Sequence, residues 1–158
     1  MIRHHTPQHP LGTGFTDAST ADDVLRGLDL TGLNAVVTGG HAGLGLETTR
    51  ALSRAGASVT VGARDPRRAG QAVEGIERVD VAALDLMDPA SIDAFATAYL
   101  SSARPLHVLA ANAGIMSQDL VRDARGYESL FATNHLGHFQ LANALLPALR
   151  AADGARVV

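Results

Sequence analysis

Apolar residues in this chain fall in short, nearly unbroken runs, each followed by a longer stretch with apolar positions at helical spacing. Residues 34–38 read as a first strand, and a helix is expected from Gly43 to Arg54, stopped by Gly56. A second strand is expected over Ser58 to Ala63. The helix after it spans Pro66 to Glu77, with Asp65 as N-cap and Pro66 at its first position. Val79 to Ala83 reads as a third strand, and Asp88-Pro89 repeats the capping device for a helix ending near Ser102. Leu106 to Ala111 reads as a fourth strand. A loop, a long helix from Tyr127 to Arg150 and the start of a fifth strand at Ala155 to Val158 complete the series. Ahead of it, Ser19 or Thr20 can cap a short helix over 21–26 that Gly27 or Gly32 ends. Residues 1–19 show no period and are expected to form a mobile tail.

Strands alternating with helices imply right-handed crossovers and a parallel sheet covered on both faces, in one α/β domain over 20–158. Composition adds little to this picture. Of 158 residues, 46% are hydrophobic and 18% charged, and the net charge is −3. That balance points to neither a nucleic-acid nor a membrane surface. There is no cysteine, which removes disulfides and thiolate chemistry and fits a cytoplasmic protein. No apolar run approaches the ~20 residues of a membrane span. His4, His5 and His9 in the tail lack acidic or thiol companions, so no metal site is expected there.

The chemistry begins at Thr38-Gly39-Gly40-His41-Ala42-Gly43-Leu44-Gly45, between the first strand and its helix. Glycines there let the backbone approach a pyrophosphate, and the helix start offers unpaired N–H groups. The spacing is T-G-x-x-x-G-x-G rather than G-x-G-x-x-G. His41 either touches a phosphate or faces solvent. At the end of the second strand an acid favours NAD and an arginine favours NADP. Asp65 stands about 20 residues past the loop, as an NAD-type acid would, but capping the next helix is its better-supported job. Arg64, Arg67 and Arg68 favour a phosphate dianion, hence NADP over NAD, against the alternative of a solvated basic face. Asp85-Leu86 can meet an adenine or form a plain turn. Asn112-Ala113-Gly114 sits beside the topological switch point, where its amide can tie strands together. His135 and His138 form an HxxH pair without a third ligand, which favours packing over metal binding.

Together these motifs, with Asn134, resemble the short-chain dehydrogenase/reductase family. Asn134-His135-Leu136-Gly137-His138-Phe139 is similar to its retinol-dehydrogenase-like branch and related bacterial oxidoreductases. The resemblance implies a Rossmann-type doubly wound parallel sheet, truncated at the fifth strand. It implies that Thr38, Gly39, Gly43, Leu44 and Gly45 hold the pyrophosphate side and that Arg64 meets the 2′-phosphate. Asp85 and Leu86 would hold adenine, and Asn112, with Ala113 and Gly114, would line the cofactor site. Asn134 would be the catalytic-tetrad member present, fixing a water that relays protons to a lysine.

The family's tyrosine, with a lysine four residues on, is missing. Tyr99 and Tyr127 are followed at that spacing by Ala103 and Phe131, and all 13 basic residues are arginine. The chain thus resembles the cofactor-binding half of a hydride-transferring oxidoreductase acting on a small carbonyl or alcohol. A non-catalytic NADP-binding or regulatory module, or a pseudogene product, is the alternative. A methyltransferase is disfavoured because Ala63-Arg64 stands where an acid is wanted. Leu141, Leu145 and Leu146 are expected to form an exposed patch, and the resemblance implies a homo-oligomer through the same helix.

Overall fold

The computed structural model describes residues 12–116 and 119–158. Most of the expected tail, with His4, His5 and His9, lies outside the described residues. Residues 12–19 contain only a turn, closed by the Ser19 N–H on the Thr16 carbonyl. Helix α1 (Ala21–Leu25) starts with a capping box in which Thr20 and Asp23 bond each other's backbone N–H. Strand β1 (Asn34–Thr38), helix α2 (Gly43–Arg54), strand β2 (Ser58–Ala63), helix α3 (Pro66–Ala72) and strand β3 (Val79–Ala83) follow. Helix α4 (Pro89–Ser101) leads to strand β4 (Val108–Ala110). The last helical run comprises α5 (Ser129–Phe131), a π-helical turn (Ala132–Gly137), α6 (His138–Ala144) and α7 (Leu146–Arg150). Strand β5 (Arg156–Val157) closes the series.

All five strands are parallel, in the order β3-β2-β1-β4-β5. That is the Rossmann order, with the direction of winding reversing between β1 and β4. Alternation along the strands divides the core. Val36 and Leu109 face one side, where Ile92, Phe95, Tyr99, Leu106, Leu141 and Leu145 cover them. Ala35 and Val37 face the other, against Leu52, Val59, Val61, Ala69 and Val73. Burying each large aliphatic side chain contributes roughly 1.5–3 kcal/mol, so both layers hold the sheet.

The structure corrects several expectations. Helix α3 ends at Ala72 rather than Glu77, because the chain turns through Gly75 at φ +80°. The long helix begins at Ser129, since the Tyr127 N–H is held by the Asp123 carboxylate and Glu128 caps the first turn through Leu130 and Phe131 N–H. It breaks at Leu145, and a new helix starts at Leu146 with Pro147, which lacks an N–H, in its first turn. The expected apolar patch is not where it was placed. Leu141 and Leu145 are fully buried against the sheet, because that face of the helix supplies the core. Leu146 stays 37% exposed, and the open apolar face is carried by Phe131 and Phe139. No helix among the described residues is long and apolar enough to cross a membrane.

Candidate functional site

A cleft of about 740 Å³ opens at the carboxyl ends of the strands, across the switch between β1 and β4. Its walls are the glycine loop from Gly39 to Gly45, the end of β2 with Arg64 and Arg68, the segment Leu84–Met87, the segment Asn112–Ile115, and Thr133. It thus gathers Gly39, His41, Gly43, Leu44, Gly45, Arg64, Asp85, Leu86, Asn112, Ala113 and Gly114.

Thr38 lies behind this surface. It is fully buried, and its hydroxyl accepts the Ala113 N–H at 2.9 Å. The loop turns at Gly39, where φ is +65°, a conformation glycine adopts without penalty. Gly45 is required for a different reason. A Cβ there would run into Asn112 Nδ2 and come within 2.6 Å of the Gly39 carbonyl oxygen. The same Asn112 amide donates to the Thr38 carbonyl at 3.0 Å, tying the end of β1 to the end of β4. Helix α2 has Ala42 at its N-cap and no side-chain cap, so its first-turn N–H groups remain available at the cleft. Leu44 stands 83% exposed on the rim. His41 is half-buried, and its Nδ1 is buried with no partner.

At the end of β2, the Asp65 carboxylate accepts the Arg68 N–H at 3.0 Å and caps α3. Arg64 and Arg68 face the cleft, and Arg67 is exposed outside its lining. Among the described residues none of these three guanidiniums has an ion pair. Asp85 uses one carboxylate oxygen on the Met87 N–H, a local turn, while lining the cleft. Leu86 is buried and forms its floor.

Asn134 sits in the π-helical turn, an irregularity frequent at functional sites. Its side chain brackets Ile115, accepting that residue's N–H at 2.9 Å and donating to its carbonyl at 3.0 Å. The turn approaches the floor at Gly137, where a Cβ would meet the Leu86 carbonyl oxygen and lie 2.9 Å from Leu86 Cβ. The HxxH pair is split. His135 is exposed and stacks on Phe131 with ring centroids 5.3 Å apart, while His138 is buried behind the cleft. Tyr99 is also buried; burial raises its phenol pKa, and Arg104 opposes this. It packs in the core, away from the cleft.

Sequence reasoning missed Thr133, Met87 and Ile115 as lining residues. Thr133 is the most informative, since its hydroxyl is buried without a partner at the cleft wall. The available signal was its place beside Asn134.

The family described as short chain dehydrogenase matches residues 33–158. A "Probable oxidoreductase" of Streptomyces antibioticus is 51% identical over 138 residues, covering 83% of this chain and 45% of that protein. Retinol dehydrogenase 12 of Bos taurus is 41% identical over 137 residues, covering 83% of this chain and 43% of its own length. Among solved structures, a metagenomic short-chain oxidoreductase in complex with NADP aligns with a TM-score of 0.69 at 30% identity, covering 81% of this chain and 61% of that one. The chain therefore spans less than half the length of these two curated relatives.

Proposed function

The chain belongs to the short-chain dehydrogenase family, and on that premise we propose that it is the cofactor-binding part of an oxidoreductase that prefers NADP to NAD. The observation that carries the preference is the end of β2. Asp65 also borders the cleft, but it spends a carboxylate oxygen on the Arg68 N–H as the cap of α3, whereas the Arg64 and Arg68 guanidiniums line the cleft and, among the described residues, form no ion pair. A carboxylate there would repel a 2′-phosphate, and a guanidinium binds it through charge-assisted, bidentate hydrogen bonds. The solved relative in complex with NADP is in keeping with this.

The residues fit a dinucleotide at each end. Gly45 lets the glycine loop close on the Asn112 amide and the Gly39 carbonyl, and the uncapped start of α2 beside it suits a pyrophosphate. On this reading Asp85 and Leu86, which line the cleft, would border the adenine, with Ala113 and Gly114 beyond it. When bound, the nicotinamide supplies or accepts a hydride in exchange with a carbonyl or alcohol carbon. Asn134 holds Ile115 and with it the wall of the cleft.

Titration of the chain with NADPH and NADH tests the reading. Replacing Arg64 by alanine should weaken NADPH binding about tenfold and leave NADH unchanged, the loss of one charge-assisted contact. Equal affinity of the wild-type chain for the two cofactors would overturn the preference, and failure to bind either would overturn the function.

A further inference from the structure

His138 is only 9% exposed, and its ring nitrogens are both bonded, Nε2 to Thr38 on β1 and Nδ1 to the main-chain oxygen of Asn134 one turn back. Nδ1 lies 3.2 Å from the main-chain oxygen of Asn134, which can only accept, so Nδ1 carries a proton. Burial holds the imidazole below its ordinary pKa, with the Asn134 bond opposing more weakly, so the ring is neutral. Nε2, 2.9 Å from Thr38 Oγ1, is then an acceptor, and the Thr38 hydroxyl donates to it.

The donors now run in one direction. Ala113 N–H donates to Thr38, Thr38 O–H to His138 at 2.9 Å in preference to the Ala110 carbonyl at 3.4 Å, and His138 N–H to Asn134. Asn134 in turn brackets Ile115, two residues beyond Ala113, which closes a ring around the cleft wall. Thr38 and His138 are 100 residues apart in sequence, so this contact fixes how two separate elements meet.

We infer that His138 is a positioning residue for the cofactor cleft, a clamp that holds the carboxyl end of β1 against the π-helical turn and so sets where Asn134 and Ile115 stand. A residue that only fills space would be replaceable by phenylalanine, whose ring matches the shape and makes neither bond. The inference rests on the cofactor reading above, but the clamp can be read without cofactor.

The experiment pairs NADPH titration with amide hydrogen exchange of the cofactor-free chain in wild type, His138→Phe, His138→Gln, Thr38→Val and the double variant Thr38→Val/His138→Phe. His138→Phe should weaken NADPH binding about tenfold and speed exchange at Ile115, as expected when both of its hydrogen bonds are lost. His138→Gln, whose amide can accept from Thr38, should recover most of both. The double variant should lose clearly less than the product of the two single losses, since both singles break the shared Thr38–His138 link. The Ile115 N–H keeps its own acceptor in every variant, so a change there is transmitted through Asn134. Wild-type binding and exchange in His138→Phe, failure of His138→Gln to recover, or multiplying losses in the double variant would each overturn the clamp. Should His138→Phe not fold, Thr38→Val alone decides: unchanged exchange at Ile115 overturns the inference. If wild type binds no NADPH, the proposed function falls, while exchange at Ile115 still decides the clamp.

Discussion

Gly45 is where one added methyl group would force the glycine loop and Asn112 apart. Its missing Cβ is the space in which the Asn112 amide and the Gly39 carbonyl meet. One of those neighbours is backbone, and the other is pinned to the Thr38 carbonyl, so neither yields cheaply. Gly45→Ala should cost roughly 1–3 kcal/mol, an overpacking penalty, and abolish NADPH binding. Chemical denaturation with cofactor titration checks both, and wild-type affinity in the variant would show that the loop has another way to close. His138 gives a second residue-scale expectation, in pH. The unfolded imidazole titrates near 6.5 and the folded one lower. Below 6.5 the unfolded chain therefore takes up the proton first, and stability is complete above 6.5 and lost as pH falls beneath it. The folded carboxyl of Glu128, held low by the Leu130 and Phe131 N–H groups, acts only in a more acid window. Urea midpoints across the range below 6.5 should fall for wild type and stay flatter for His138→Phe. Parallel slopes would show that His138 is not the titrating group.

Helix faces are decided one scale up. Along α6, Leu141 is fully buried and Phe139 is 65% exposed, although the two are two positions apart. Leu141→Ala should destabilise by about 2–5 kcal/mol through the cavity it leaves. Phe139→Ala should stay within about 0.5 kcal/mol, since it removes a side chain that solvent already surrounds. Comparable losses in thermal unfolding would mean that Phe139 is covered in solution. This pair also shows where sequence reading stopped. Strands β1, β2 and β3 and helix α2 were legible to the residue, because glycines, caps and apolar runs mark their ends locally. Asp65 and Asp88 were readable as caps for the same reason. The inward side of the 129–150 run was not, because a nearly all-round apolar pattern does not say which side meets the sheet. The glycine loop, Arg64 and Asn112 stood out in local motifs, and the fold brings them to one cleft. The contact between Thr38 and His138 was not legible, since it spans 100 residues.

At the scale of the whole molecule, the cleft is assembled from the ends of strands that lie in two separately packed layers. The glycine loop leads into α2 on the Leu52 side, while Leu86 and the π-helical turn belong to the Leu141 side. A dinucleotide spanning the switch point would bridge these layers, so its binding should register as stability of the entire domain. A ligand at a hundred times its Kd adds about 2.7 kcal/mol. For a chain of this length that corresponds to a rise in Tm of roughly 5–10 °C. NADPH should produce this shift, and NADH at the same concentration a smaller one, because its affinity lacks the phosphate contact. In Arg64→Ala the two shifts should converge, since the residue acts on the 2′-phosphate alone. The comparison separates the two levels of the proposal: equal shifts in wild type would remove the arginine's role, and no shift with either cofactor would remove the bridge itself.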